Sequence, residues 1–151
     1  MMASPAMTML EPHASPHGFT YSGHPVAAAV ARESIAILLE EDIPNHVRTT
    51  APTLMAGLDP LRDKDAVIDA PDDGFMAAVT LAPLDAAQGG EMATAVMDEV
   101  ARQGVLVRAA GDNIILAPPL ISTAAEITEI TDRLRAAYDA VVGAALPRMG
   151  R

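Results

Sequence analysis

The sequence predicts an α+β domain, in which a small, mostly antiparallel sheet has helices packed on it and a long helix precedes it. Two pairs of short, strand-like segments lie close together along the chain, and such clustering favours antiparallel pairing. Helical patterns with steps of three and four residues lie before, between and after these pairs. The resulting order is helix, helix, two strands, helix, two strands, helix, which is typical of the α+β class.

The first helical pattern follows Pro25, a residue that suits the first turn because its missing N–H has no intrahelical partner there. Apolar residues surround most of this helix and its polar stripe is narrow, so we expect it to be largely buried. Pro44 and Asn45 mark its predicted end. Residues 46–62 predict a second helix, in which Pro52 either begins a new helix or kinks the existing one.

The pattern then changes to a period of two, which predicts a strand over residues 74–81. Residues 66–69 form a short apolar run before it, and the acidic turn Pro-Asp-Asp-Gly lies between the two. This spacing predicts a first pair of strands. The side chains that should share the buried face of the longer strand are Phe75, Ala77, Val79 and Leu81.

A third helix is predicted over residues 91–103, with Gly104 as its stop. Residues 105–108 and 113–117 predict the second strand pair. Thr123-Ala-Ala-Glu126 has the pattern of a capping box, which predicts the start of a last helix. Its apolar stripe consists of Ile127, Ile130, Leu134, Tyr138, Val141 and Val142.

Composition excludes several classes of function. The 151 residues contain no cysteine, which excludes disulfides, thiol catalysis and thiolate metal sites. A formal charge of −10 makes general nucleic-acid binding unfavourable, because that binding depends on Lys/Arg clusters. No apolar run is as long as a membrane span, and the N-terminus has no features of a secretory signal. We therefore expect a cytoplasmic protein without nucleic-acid or membrane partners.

Residues 17–25, His-Gly-Phe-Thr-Tyr-Ser-Gly-His-Pro, contain the first candidate site. Glycines and hydroxyls directly before a helix N-terminus favour an anion such as phosphate. The alternative is a capping loop in which Ser22 or Thr20 accepts hydrogen bonds from the unpaired N–H groups of the helix. The residue types alone favour the capping loop.

Arg108 is the second candidate, at the end of a strand pattern and shortly before Asp112. An arginine can hold a substrate carboxylate with two parallel hydrogen bonds. An ion pair with Asp112 at a hairpin tip is the alternative, and the residue types alone favour it.

No metal site is predicted. His13, His17, His24 and His46 do not match a ligand spacing. The acidic residues between Asp63 and Asp73 lack the glycine-centred calcium-loop pattern, and we interpret them as a solvated edge.

Three segments together resemble class III pyridoxal-phosphate-dependent aminotransferases, and in particular the omega-transaminase branch. HGFTYSGHPVAAAVA resembles the segment that leads into the small domain of that family, and AVIDAPDDGFMAAVTL is similar to its mid-domain strands. GVLVRAAGDNIILAPPLISTAAEITEI resembles the family's C-terminal strand pair and helix. The resemblance covers residues 17–146 and implies the C-terminal small domain of a fold-type I enzyme.

The resemblance also implies roles for individual residues. Thr20 matches the threonine that hydrogen-bonds the phosphate of pyridoxal 5'-phosphate across the dimer interface, and Phe19 belongs to the same loop. Arg108 matches the mobile arginine that binds a substrate carboxylate. The intact family is implied to be a homodimer that transfers an amino group between an amine or amino acid and a keto acid such as pyruvate.

One family feature has no match in this sequence, namely the Schiff-base lysine, which lies upstream of the HGFTYSGHP motif in the family. Lys64 is the only lysine here, and it follows that motif between Asp63 and Asp65, which favour its protonated form. No catalytic residue is therefore assigned, and we expect the isolated chain to be inactive. Two alternatives remain: a binding or assembly module that pairs with a separate large-domain chain, and a free-standing domain that binds carboxylates through Arg108.

The predicted organisation has four parts. Residues 1–16 form a disordered tail, and residues 17–44 form the phosphate-side loop with the long connecting helix. Residues 45–147 form the small C-terminal domain, and residues 148–151 form a second tail.

Overall fold

The computed structural model describes residues 20–83 and 89–149. Contacts divide the chain into two compact units, one ending at Leu38 and the other beginning at Leu39. Helix α1 (Pro25–Glu40) accounts for most of the described part of the first unit, and none of its residues is buried. The expectation of a largely buried helix was therefore wrong. Apolar composition makes a helix suitable for burial, but it does not supply the elements that would cover it.

The second unit alternates helices and short strands and confirms the predicted α+β class. Its elements are α2 (Ile43–Arg62), β1 (Val67–Asp69), β2 (Asp72–Asp73), β3 (Met76–Leu81), α3 (Glu91–Arg102), β4 (Arg108–Ala110), β5 (Asn113–Leu116) and α4 (Ala124–Met149).

The strands form one antiparallel sheet in the order β1-β3-β5-β4, and β2 pairs with β3 on the same side as β1. The register between β3 and β5 pairs Ala78 with Ile115, and the register between β4 and β5 pairs Arg108 with the same isoleucine. The register of β1 shifts between Val67 and Asp69. Strands β1 and β4 consequently lie at opposite edges of the sheet.

The core lies between one face of the sheet and the helices. Ala77, Val79 and Leu81 of β3 are buried, which confirms the predicted alternation. Helix α4 packs against both α2 and α3. The capping box is also confirmed, because Thr123 donates its backbone N–H to Glu126 Oε2 at 2.8 Å and Thr123 Oγ1 accepts the Glu126 N–H at 3.3 Å.

Several local predictions need correction. Helix α1 ends at Glu40, and Pro44 lies in the first turn of α2 instead of ending α1. Helix α2 continues through Pro52. The strand predicted over residues 105–108 begins only at Arg108, whereas the acidic turn contributes the additional strand β2. Among the described helices, none is both long and apolar enough to span a bilayer.

Candidate functional site

The loop before α1 is the first part of the candidate site. Thr20 and Tyr21 are exposed, and Gly23 has a φ of 75°, a conformation that costs glycine little. His24 Nδ1 accepts the backbone N–H of Ala27 at 3.3 Å, so the imidazole caps the first turn of α1. The capping role that we considered for Ser22 or Thr20 is thus performed by His24. Phe19, the other predicted phosphate-side residue, lies outside the described residues.

Arg108 lies at the start of β4 with an exposed side chain. Ile114 of β5 is fully buried and faces the helices. Side chains alternate along a strand, so Ile115 and its cross-strand partner Arg108 face the other side of the sheet. We call this side the far face. Sequence reasoning identified Arg108 but not Ile115, because only the strand register makes them neighbours.

The alternative for Arg108, an ion pair with Asp112, is not observed. Asp112 Oδ1 instead accepts the backbone N–H of Gly90, the residue before α3, at 2.6 Å. Gly111 and Asp112 form the tight turn between β4 and β5, and Gly111 has a φ of 55°. The carboxylate of Asp112 therefore fastens the tip of the hairpin to the start of α3. Arg108 takes part in none of the ion pairs between described residues.

Lys64 is paired with a different carboxylate from the two that flank it in sequence. Its Nζ lies 2.9 Å from Asp139 Oδ1 of α4, and its side chain is 44% exposed. An exposed ammonium in an ion pair is neither desolvated nor close to another cation, the two settings that make a lysine nucleophilic. Lys64 also lies just before β1, whereas Arg108 lies on β4. Three interstrand spacings, about 14 Å, separate these two strands.

The remaining polar residues do not form a second site. His46 Nε2 lies 2.9 Å from the carbonyl oxygen of Ser122, and its ring meets that of Phe75 edge-on. His13 and His17 lie outside the described residues. Within the described residues, no group of three His, Asp or Glu side chains could hold a metal ion. The acidic stretch is largely exposed, and its half-buried member Asp72 pairs with Arg62.

Pyridoxal phosphate makes separate chemical demands at its two ends, and the described residues fit one of them. The phosphate needs hydroxyl and N–H donors, which the exposed Thr20 hydroxyl and the turn before the α1 N-terminus offer. The aldehyde needs an unpaired lysine, and Lys64 does not fit. Thr20 belongs to the first unit, and Arg108 and Lys64 belong to the second.

Comparison with known proteins gives consistent matches. The family model described as Aminotransferase class-III matches residues 1–138. This match includes residues 1–16, for which the sequence alone showed no resemblance. The gamma-aminobutyrate transaminase 1, mitochondrial, of Oryza sativa subsp. indica is 37% identical over 136 residues, which are 83% of this chain and 26% of the relative.

Two further relatives come from Pseudomonas. The putrescine–pyruvate aminotransferase of Pseudomonas aeruginosa is 38% identical, with coverage of 86% of this chain and 30% of the relative. The crystal structure of the omega transaminase from Pseudomonas jessenii in complex with PMP matches with a TM-score of 0.76 and 32% identity, over 94% of this chain and 32% of that chain. The chain thus spans about a quarter to a third of the length of these relatives.

Proposed function

Because the chain belongs to the class III aminotransferases, a pyridoxal-phosphate-dependent family, we propose that it is the C-terminal part of a transaminase. The reaction is the transfer of an amino group between an amine or amino acid and a keto acid such as pyruvate. Pyridoxal phosphate, when bound, supplies the electron sink for that transfer. The observation that carries the proposal is Arg108, an exposed arginine without a carboxylate partner among the described residues.

The two parts of the candidate site have separate tasks in this proposal. Thr20 donates its hydroxyl to the cofactor phosphate, and the N–H groups of the same turn add weaker donors. Arg108 binds the substrate carboxylate with two parallel hydrogen bonds and so fixes the orientation of the amino or keto carbon. Ile115, its cross-strand partner on the far face, is an apolar residue next to Arg108.

We also propose that this chain does not transaminate on its own. Its one lysine is exposed, bound to Asp139 and on the opposite sheet edge from Arg108. Lys64 precedes β1 and Arg108 lies on β4, at the opposite edge of the sheet, and the Lys64 ammonium is held by Asp139 instead of being free for the cofactor aldehyde. Incubation with pyridoxal phosphate and borohydride, followed by an assay with an amine and pyruvate, tests this. Turnover together with a single stable adduct at Lys64 would overturn it.

Complementation tests the proposed activity itself. The upstream segment of a matched omega transaminase, which contains its own lysine, is co-expressed with this chain and assayed with an amino acid and pyruvate. We expect activity that requires both parts. An Arg108→Ala substitution should lower kcat/KM for the carboxylate substrate by about 10²-fold or more, while an amine without a carboxylate should lose much less. Equal losses for both substrates would remove the carboxylate role of Arg108.

The second candidate is a non-catalytic assembly module that pairs with a separate large-domain chain. Helix α1 favours it, because its apolar side chains are exposed on several sides, with Val26 and Val30 both at 63%. Co-purification with a tagged large-domain chain, without activity in the complex, would support this candidate over the enzyme. A carboxylate-binding domain without a partner is a third option, and titration of keto acids against wild type and Arg108→Ala tests it.

The oligomeric state of the assembled enzyme and its location remain proposals. A homodimer is proposed because the matching role of Thr20 reaches across a dimer interface in the family that the chain resembles. A cytoplasmic location is proposed because a cysteine-free chain suits a reducing compartment. Light scattering of the complemented enzyme and fractionation of the producing cells test the two separately.

A further inference from the structure

The turn between β2 and β3 contains the one Asp–Gly pair of the sequence, Asp73–Gly74, and the chain has no Asn–Gly pair. The register pairs Asp73 with Met76, so Gly74 and Phe75 form a two-residue hairpin loop. Gly74 has a φ of 60°, as the first position of such a loop requires, and glycine adopts this conformation at little cost. The fold therefore places the Asp–Gly pair at the tip of a tight hairpin.

The two groups of this pair that can react with each other are both free. The Asp73 side chain is exposed and belongs to none of the ion pairs between described residues. Within the part of the chain that the structure describes, no backbone carbonyl outside the strand ladder accepts the Gly74 N–H. Glycine also has no Cβ atom to shield its nitrogen. Three carbon atoms separate this nitrogen from the Asp73 carboxyl carbon, so a bond between the two closes a five-membered ring.

Several other aspartates lack one of these two conditions. Asp59 precedes Pro60, which has no N–H. The carboxylate of Asp72 is paired with Arg62, and that of Asp112 is hydrogen-bonded to the residue before α3. Aspartates inside the helices are followed by N–H groups that the helix already uses. An exposed, unpaired carboxyl group next to a free glycine N–H therefore distinguishes the β2–β3 turn.

The strand that ends at Asp73 is weakly held. Strand β2 has two residues, pairs with β3 alone and lies on the outer side of the sheet. Short segments with exposed hydrogen bonds open locally at a much lower free energy than the whole domain. Phe75 is 3% exposed and remains anchored in the core during such an opening. Local opening of β2 therefore lets the main chain at Asp73 rotate into the geometry of the ring while the domain stays folded.

We propose that Asp73 is a site of spontaneous isomerisation to isoaspartate. The Gly74 nitrogen attacks the Asp73 side-chain carboxyl carbon, a C–N bond forms, and the carboxyl hydroxyl leaves as water together with the proton of the nitrogen. Water then adds to one of the two carbonyls of the cyclic imide. Addition at the former main-chain carbonyl breaks its bond to the nitrogen, so the main chain now runs through the side-chain carbons. One water leaves and one returns, and the mass is unchanged.

The product differs from the native chain in two ways. It carries one extra main-chain atom in a loop whose length fixes its register, so the Asp73–Met76 pair and with it β2 should be lost. Strand β3 keeps its pairing with β5. The product also presents a free α-carboxylate on a β-linked main chain, which is the group that isoaspartyl methyltransferases methylate. The aged chain is then a substrate for this class of repair enzyme.

Peptide mapping of aged protein tests the proposal with wild type and Asp73→Glu, both kept folded at neutral pH for weeks. Electron-transfer fragmentation assigns the linkage at each aspartate. We expect isoaspartate at Asp73 to accumulate at least about tenfold faster than at Asp72, the ion-paired internal reference. Asp73→Glu keeps the exposed negative charge but would need a six-membered ring, so position 73 should keep its normal linkage. Asp73→Ser, which has no carboxyl group, serves if the glutamate variant does not fold.

Two further measurements are independent of the mapping. An isoaspartyl methyltransferase with labelled S-adenosylmethionine should label aged wild type and leave aged Asp73→Glu unlabelled. Hydrogen exchange should be faster in β2 of the aged wild type and unchanged in α4. Isomerisation of Asp73 no faster than that of Asp72, isomerisation only after the chain is denatured, or equal methyl labelling of wild type and Asp73→Glu would each overturn the proposal.

Discussion

Helices α1 and α4 differ in a way that their composition does not suggest. Helix α1 is the more apolar of the two, yet none of its residues is buried. Helix α4 contains many charged residues, yet it buries Ile127, Leu134 and Tyr138. In α4 the apolar residues form one stripe against α2 and α3, whereas in α1 they lie on several sides. The difference teaches that the arrangement of apolar residues and the presence of neighbours decide burial.

Removing a buried side chain from α4 should have the largest effect. Leu134 is 1% exposed, so Leu134→Ala should lower the free energy of unfolding by about 2–5 kcal/mol through lost contacts and a cavity. Ile35 of α1 is 57% exposed, and Ile35→Ala should change the free energy of unfolding by less than about 0.5 kcal/mol. Urea unfolding of both variants measures the contrast. Equal losses would mean that α1 is covered in solution.

Two helix glycines provide a second contrast, between a position at a packed helix contact and a position with open space around it. A Cβ atom on Gly57 of α2 would lie 2.6 Å from Thr131 Cβ of α4, so Gly57→Ala should destabilise by about 1–3 kcal/mol through overpacking. Gly143 of α4 has no atom within 4 Å of such a Cβ, so Gly143→Ala should stabilise by about 0.5–1 kcal/mol. Thermal unfolding of the two variants should show a lower melting temperature for Gly57→Ala and a higher one for Gly143→Ala. A more stable Gly57→Ala variant would mean that α2 and α4 lie further apart.

The Tyr138 hydroxyl donates a hydrogen bond to the carbonyl oxygen of Asp65 and ties α4 to the segment before β1. Tyr138→Phe should cost about 1 kcal/mol. Burial, with the charges of Asp65 and Asp139, raises the pKa of Tyr138 above its usual value. The neutral phenol therefore contributes stability below the unfolded pKa, and that stability is lost as the pH rises through the folded pKa. Near and above pH 10, the free energy of unfolding should depend less on pH in Tyr138→Phe than in the wild type.

The capping box should have the smallest effect of the four. Hydrogen bonds from the backbone N–H and then the hydroxyl of Thr123 lower the pKa of Glu126 below its usual 4.5. The carboxylate therefore stabilises the start of α4 above the unfolded pKa, and this contribution is lost as the pH falls through the folded pKa. Glu126→Gln should remove that acid dependence. Helix α1 has a different cap, in which His24 Nδ1 accepts the backbone N–H of Ala27.

Much of this fold follows from the sequence because its signals are local. The alternation in residues 74–81 and the stripe of α4 identify buried faces, and the Thr123–Glu126 pattern identifies a helix start. The extent of β4 could not be predicted in this way, because Val105, Leu106 and Val107 have strand-forming side chains but no partner strand in the structure. Pairing is a tertiary property that propensity does not contain.

The candidate site shows the same limit. Residue types made Arg108 a candidate, and the resemblance gave it a role, but the partners of its neighbours depend on the fold. Asp112 was predicted beside Arg108 and binds Gly90, and Lys64 binds Asp139 rather than Asp63 or Asp65. Residues distant in sequence supply these partners, so no local pattern could reveal them.

The bond between Asp112 and the Gly90 N–H has a consequence for timing. This bond holds the β4–β5 hairpin to α3 and so fixes the turn at the end of β4, the strand that begins with Arg108. If Arg108 alternates between holding a carboxylate and moving aside, the change is a rotation of its own side chain rather than a hinge motion of the hairpin. Exposed side chains change rotamer in picoseconds to nanoseconds, whereas collective motions take microseconds or longer. In the proposed enzyme, a movement of the Arg108 side chain alone should therefore be faster than a hinge motion of the hairpin.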